Sequence, residues 1–255
     1  MATVKPAAYT PDDNGMDDRV PFLARLEAVD RTALLGLGRP LVFPTRTVLI
    51  HQHEPSSHVL FLVRGWTKIT ASAANGYEAL LALRGPGDII GESAALTGRP
   101  RSATVTTLEP VQAVALERRS FRAFLKDSPA AALVLLGLTA DRNRAADRRR
   151  LEFASMSVRE RLAILLLELT RTHGRHTLEG IELAVSLSKQ ELAGGVGASR
   201  EMVQRLLREW RNKGVLVTGR RTLLILRPDV LRQITADGEA ACFDAVSPSR
   251  ELPLP

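Results

Sequence analysis

Arg200, Glu201 and Arg205 stand within one short run, with Gln204 and Arg208 beside them. Guanidinium groups donate bidentately to O6 and N7 of guanine, and a carboxylate accepts from N4 of cytosine, so this set can read base edges. A second set lies in Gly85 to Thr104, written GPGDIIGESAALTGRPRSAT. A cyclic phosphate needs a buried cation, hydroxyl or backbone donors, and a carboxylate for a ribose hydroxyl. Glu92, Arg101, Ser93, Ser102 and the amides near Gly91 and Ala103 supply each of these.

The elements around the first set are two short helices. Ser188 and Glu191 have capping-box spacing, and Gly194, Gly195 and Gly197 are expected to form a tight turn. Ser199 is a good N-cap, and Val203, Leu207 and Trp210 fall on one apolar face that must pack inward. Gly214 sits where this helix should stop. Val215 to Thr218 and Thr222 to Leu226 then flank Gly219, Arg220 and Arg221, which reads as a wing with a basic tip able to touch phosphate. A charged helical face is more often simply solvated, but the turn, the caps and the wing together point to a winged helix-turn-helix.

The second set belongs to an earlier, strand-rich part. Leu41–Phe43, Thr47–Ile50, Val59–Val63, Trp66–Thr70, Glu78–Leu83, Ala103–Thr107 and Val111–Leu116 are short runs divided by turn residues, and Asn75–Gly76 marks a hairpin. Such a series implies an antiparallel barrel or jelly roll. Phe22 to Leu37 has near-helical apolar spacing, and Ser120 to Lys126 reads as a small helix. Asp127–Ser128–Pro129 then opens a long helix to about Phe153, in which Leu133, Leu136 and Ala140 could form a dimer seam. Its second half, DRNRAADRRR, is mostly charged. Phe153 to Ser157 is a hinge, and Ser157 with Glu160 caps a further helix to about Thr172.

The chain has 255 residues, enough for two domains with full cores. Its net charge of +7 is concentrated: residues 157–235 hold 14 Lys plus Arg against 8 Asp plus Glu, as phosphate binding requires. Cys242 is the only cysteine, which excludes an intrachain disulfide and a cysteine-ligated iron-sulfur cluster within one chain. His51 and His53 read as surface residues rather than metal ligands. Asp12, Asp13, Asp17 and Asp18 interrupt the first twenty residues, so no secretory signal is expected and the cytoplasm is the expected compartment, with no membrane partner. No nucleophile elbow or Walker loop is present, so an enzyme is not expected.

The run GASREMVQRLLREW resembles the recognition helix of the CRP/FNR family, whose members carry a similar S-R-E-x-V-x-R. The resemblance covers about residues 22–235 and implies an α+β chain. Its expected parts are a flexible arm (1–20), a cyclic-nucleotide-binding β-roll of jelly-roll type (21–127), a dimerisation helix (128–153), a winged helix-turn-helix (154–235) and a disordered tail (236–255). It implies that Arg200, Glu201 and Arg205 contact bases, with Lys189 and Gln190 near backbone contacts; Ser199, Gln204, Arg220 and Arg221 complete the expected DNA-binding set. Carried over to the cassette, Glu92 takes a ribose and Arg101 a phosphate, helped by Ser102 and the amides of Gly91, Ser93 and Ala103. Adenine contacts would fall near Asn143 and Arg144. The expected effector is a cyclic nucleotide, cAMP or cGMP, and the expected partners are double-stranded DNA, a second copy and RNA polymerase. Where the family often has glycine, this chain has Thr45 and His53. Two other readings remain open: an empty, effector-independent roll, and a nucleotide-sensing module whose winged helix docks a protein.

Overall fold

The computed structural model describes residues 20–219 and 222–244. In chain order, the first half holds α1 (Phe22–Arg25), α2 (Ala28–Gly36), β1 (Arg39–Phe43), β2 (Val48–Ile50), β3 (His58–Arg64), β4 (Thr67–Ser72), β5 (Glu78–Arg84), β6 (Ile89–Ile90), α3 (Glu92–Thr97), β7 (Thr104–Thr107), β8 (Val111–Glu117) and α4 (Arg118–Asp127). The strands form two antiparallel sheets, β1-β8-β3-β6 and β2-β7-β4-β5. β3 is buried on both faces from Val59 to Leu62, which is why this part reads as a continuous apolar run rather than an alternation, while Val63 is exposed. Leu60 and Leu62 pack between the sheets with Ile50, Ile90 and Val105. Val59 and Phe61 face the opposite way, into a core with Phe22, Leu34 and Phe121 from the flanking helices.

β6 has only two residues, too short to register as a strand pattern, and is held by pairing of Leu60 with Ile90 and Phe61 with Ile89. Positive φ is kept at His53 (72°) and at Arg46 (63°), the residue after Thr45, so these loops make left-handed turns without glycine.

The long helix α5 (Pro129–Ser155) starts at Ser128, whose side chain accepts from the Ala131 amide. Ala131, Leu135 and Leu138 anchor it to the helical core, while Leu133 and Leu136 on the other side remain 68% and 64% exposed. The charged second half is tied down by specific pairs. Arg25 and Arg144 both reach Asp141, Arg142 reaches the roll, and Arg149 donates to the Leu81 carbonyl.

The remainder is α6 (Val158–His173), β9 (Gly174–His176), β10 (Ile181–Leu183), α7 (Lys189–Val196), α8 (Arg200–Asn212), β11 (Leu216–Thr218), β12 (Leu223–Ile225) and α9 (Pro228–Asp244). Its sheet has the order β11-β12-β10-β9. Leu162, Leu166, Leu192, Val203, Leu207 and Trp210 form one buried core, and burying each such side chain contributes about 1.5–3 kcal/mol.

Two expectations are corrected here. Gly194 and Gly195 are not a turn: they continue α7, and only Gly197, at φ 62°, turns the chain. Of the tail expected from residue 236, residues 236–244 are helical as the end of α9, which packs along α6, and residues 245–255 lie outside the described residues. No single helix among the described residues is long and apolar enough to cross a membrane.

Candidate nucleic-acid interface and effector cassette

Ser199 starts α8 by accepting from the Met202 amide at 3.2 Å. Val203, Leu206, Leu207 and Trp210 are buried, so helical geometry turns Arg200, Glu201, Arg205 and Arg208 outward, all exposed. Gln204 is half-buried at the edge of that face. α7 is opened by a complete capping box: Ser188 Oγ accepts from the Glu191 amide at 3.2 Å, and Glu191 Oε2 accepts from the Ser188 amide at 2.6 Å. Lys189 and Gln190 follow at once and are exposed. The predicted contact residues of α7 and α8 are therefore exposed or at the edge of an exposed face, and Lys189 of α7 lines one concavity together with Gln204 of α8. Arg220 and Arg221 lie outside the described residues.

Between α7, α8 and β11 runs a concavity of about 200 Å³ lined by Lys189, Gln204, Leu207, Arg208, Arg211 and Thr218. Arg211 was not among the predicted contacts. Its spacing from Arg208 and Gln204, one further turn along the same stripe, was the available signal. Behind this surface Glu209 accepts from Arg159 and Lys213, which hold its carboxyl down at about 2 and tie α8 to α6.

In the cassette, Gly91 links β6 to α3 at φ 83°, and a Cβ there would sit 2.3 Å from Arg101 Nη1. Glycine is therefore required twice, for the turn and for the guanidinium. Arg101 is 4% exposed and donates to the carbonyls of Gly91 (2.9 Å) and His58 (2.6 Å). Burial lowers its pKa, against Glu92 and Glu54, which raise it. His58 is pushed down too, by burial and then by the Arg101 charge.

Glu92 faces a different arginine. Arg142 of α5 donates to Glu92 Oε1 at 2.8 Å and to the Ile89 carbonyl at 3.1 Å, and its second arm lies 3.4 Å from Asp88. Ser93 and Ser102 are exposed and Ala103 is buried. Asn143 and Arg144 are exposed, with Arg144 pairing with Asp141 at 2.7 Å. Sequence reasoning missed Arg142, although it continues the buried stripe of Leu135 and Leu138 at helical spacing.

Two family models match the chain: a cyclic nucleotide-binding domain over residues 40–128 and a Crp-like helix-turn-helix domain over residues 160–234. The cyclic AMP receptor protein of Thermus thermophilus is 30% identical over 196 residues, covering 76% of this chain and 86% of that protein. The chain belongs to the CRP/FNR family of transcription regulators. A CRP-like cAMP-activated global transcriptional regulator of Mycobacterium tuberculosis is 28% identical over 213 residues, with 82% of this chain and 95% of that protein covered. The fold is shared with the c-di-GMP responsive global regulator of Xanthomonas campestris, with a TM-score of 0.70, 23% identity, and 78% of this chain and 99% of that one covered. Like its CRP/FNR relatives, the chain is a DNA-binding transcription regulator with a cyclic nucleotide-binding domain, not an enzyme.

Proposed function

We propose that this CRP/FNR regulator acts as a homodimer on an inverted-repeat operator, under control of a cyclic nucleotide in the roll. The observation that carries the DNA half of this reading is the exposed Arg200, Glu201 and Arg205 on the outer face of a capped, well-packed α8. Lys189, Gln190, Ser199 and Gln204 border that face, and Arg208 and Arg211 add cation beside it. Paired recognition helices would enter successive major grooves about 34 Å apart. The exposed Leu133 and Leu136 on α5 are the apolar surface that a second copy would cover.

The effector half rests on Arg101. Among the described residues the Arg101 guanidinium, 4% exposed, donates to the Gly91 and His58 carbonyls, with Glu92 and Glu54 acting on it only through their charge, and an anionic phosphate would offset its desolvation cost. Glu92 is present for a ribose hydroxyl, with Arg142 holding its carboxylate in place. The residues thus fit a cyclic nucleotide, and cAMP is favoured over cGMP because the curated relatives are described as cAMP-activated. When bound, the nucleotide supplies a phosphate charge and a ribose; Arg101, Glu92, Ser102 and the amides near Gly91, Ser93 and Ala103 orient them. Effector binding would act by favouring the DNA-competent state. RNA polymerase as a partner, and the cytoplasm as the compartment, belong to the same reading.

The test is selection of duplexes from a random pool with and without cAMP, followed by calorimetry of cAMP and cGMP on the wild type and on Glu92→Ala with Arg101→Ala. Enrichment of an inverted repeat, and loss of nucleotide heat in the double variant, are expected. A pool that stays random would sink the DNA reading, and unchanged heat would sink the cassette.

A further inference from the structure

α7 is an eight-residue helix with two glycines inside it, each costing about 1 kcal/mol against alanine. Their surroundings differ. A Cβ on Gly194 would lie 2.5 Å from the backbone oxygen of Glu78 and 3.2 Å from the backbone nitrogen of Leu80, both in β5 of the roll. The nearest atoms to a Cβ on Gly195 would be side-chain atoms, Leu165 Cδ2 at 3.0 Å, Leu80 Cδ2 at 3.6 Å and Leu80 Cβ at 3.9 Å, with no backbone atom as close. At Gly194, then, the first helix of the helix-turn-helix is pressed backbone to backbone against the effector domain.

Three further contacts ring the same edge of the roll. Lys68 of β4 pairs with Glu191 of α7 at 2.6 Å, with side-chain exposures of 17% and 15%. Burial pushes the Glu191 carboxyl up, but its bonds to Lys68 and Ser188 outweigh this and hold it below its ordinary value. Trp66 lies against the buried His173 at the end of α6, ring centroids 4.0 Å apart. Arg149 of α5 reaches both the Leu81 carbonyl and Glu168 of α6.

This edge is also continuous with the cassette. The Trp66 ring occupies the space beside Gly85 where a Cβ would stand, the Gly85 amide donates to Asp88, and Asp88 and Glu92 both contact Arg142. Meanwhile Lys189, Gln190, Arg200, Glu201, Arg205 and Arg208 stay exposed. The contacts with the roll thus leave these residues of α7 and α8 uncovered.

We propose that Trp66 and Lys68 on the roll, with Gly194, Glu191 and His173 opposite them, are positioning residues that dock the helix-turn-helix in its DNA-competent orientation. The proposal rests on the dimeric-regulator reading above. Undocked, the C-terminal half would swing about Met156 and Ser157, and two recognition helices would rarely stand at operator spacing together. The second half-site contact would lose effective concentration while each single contact kept its strength.

Gly194→Ala is the discriminating variant, because it strengthens α7 as a helix by about 1 kcal/mol yet places a methyl group against Glu78 O. Gly195→Ala brings the same helical gain with only movable side chains in the way, and serves as the matched control. Affinities are measured on the inverted-repeat duplex selected by the wild type and on a duplex carrying one arm. The proposal expects Gly194→Ala to lose about tenfold or more on the full repeat and less than about twofold on the single arm, with Gly195→Ala near wild type. Unchanged or tighter full-repeat binding, or equal losses on both duplexes, overturns it. Chymotryptic cleavage after Phe153, in the last turn of α5 just before Met156 and Ser157, provides a DNA-free readout: Gly194→Ala should be cut several times faster than Gly195→Ala, and equal rates overturn the proposal. If the wild type selects no repeat, the regulator reading fails by itself, while the cleavage comparison still decides whether Gly194 joins the two halves.

Discussion

Arg200 and Arg205 differ from Arg208 and Arg211 in position along one helix, and that difference predicts different losses. The first pair lies in the opening turns of α8, where a recognition helix reaches base edges; the second lines the concavity toward the wing. Arg200→Ala or Arg205→Ala should cost about 1–3 kcal/mol at one base position per half-site and leave other positions alone, as read from binding to single-base operator variants. Arg208→Ala with Arg211→Ala should weaken all sequences about equally and reduce the slope of log affinity against log salt by about 2, checked by titration at several salt concentrations. At this scale residue types and spacing located the exposed face of α8, because a helix repeats every 3.6 residues and Val203, Leu207 and Trp210 had to point inward. The cassette was legible as a set of residues but not as a set of contacts. Glu92 and Arg101 face different partners because Arg142 enters from a helix fifty residues further on, and no local pattern announces such a neighbour.

Among the elements, α6 carries a group whose titration can be followed. His173 is 8% exposed at its C-terminal end, and burial lowers its pKa from 6.5 to about 4. Above pH 6.5 the ring is neutral both folded and unfolded, and its burial carries no protonation penalty. As pH falls from 6.5 toward 4, the unfolded chain takes up a proton that the folded chain refuses, so stability is lost across that window and then levels off. Urea midpoints measured from pH 7 to 4 should fall more steeply for the wild type than for His173→Gln, by the slope of one proton. The helix starts were easily read from sequence: Ser128, Ser157, Ser188 and Ser199 all accept from amides as expected, since a capping hydroxyl acts within four residues of its own position. The glycines of α7 were misread for the opposite reason. Glycine favours a turn or a close approach equally, and what decides between them, the Glu78 carbonyl, is more than a hundred residues away in the chain.

For the whole molecule the exposed stripe of α5 is the surface on which the proposed dimer rests. Leu133 and Leu136 expose apolar surface beside Gly137, while Leu135 and Leu138 on the other side fill the helical core of the first half. Leu133→Glu with Leu136→Glu should leave folding intact by circular dichroism, convert the protein to a monomer in sedimentation, and reduce full-operator binding to that of one arm. The chain alone determined where helices begin, which strands alternate, that two halves exist, and which arginines and glutamate could read DNA or hold a phosphate, since each depends on interactions within about one turn or one hairpin. Only the tertiary structure decided that Arg142 holds Glu92, that Arg101 is buried among carbonyls, and that α7 lies against β5. Those facts depend on which distant segments share a surface, and that is set by burying both halves' apolar faces together rather than by any local preference.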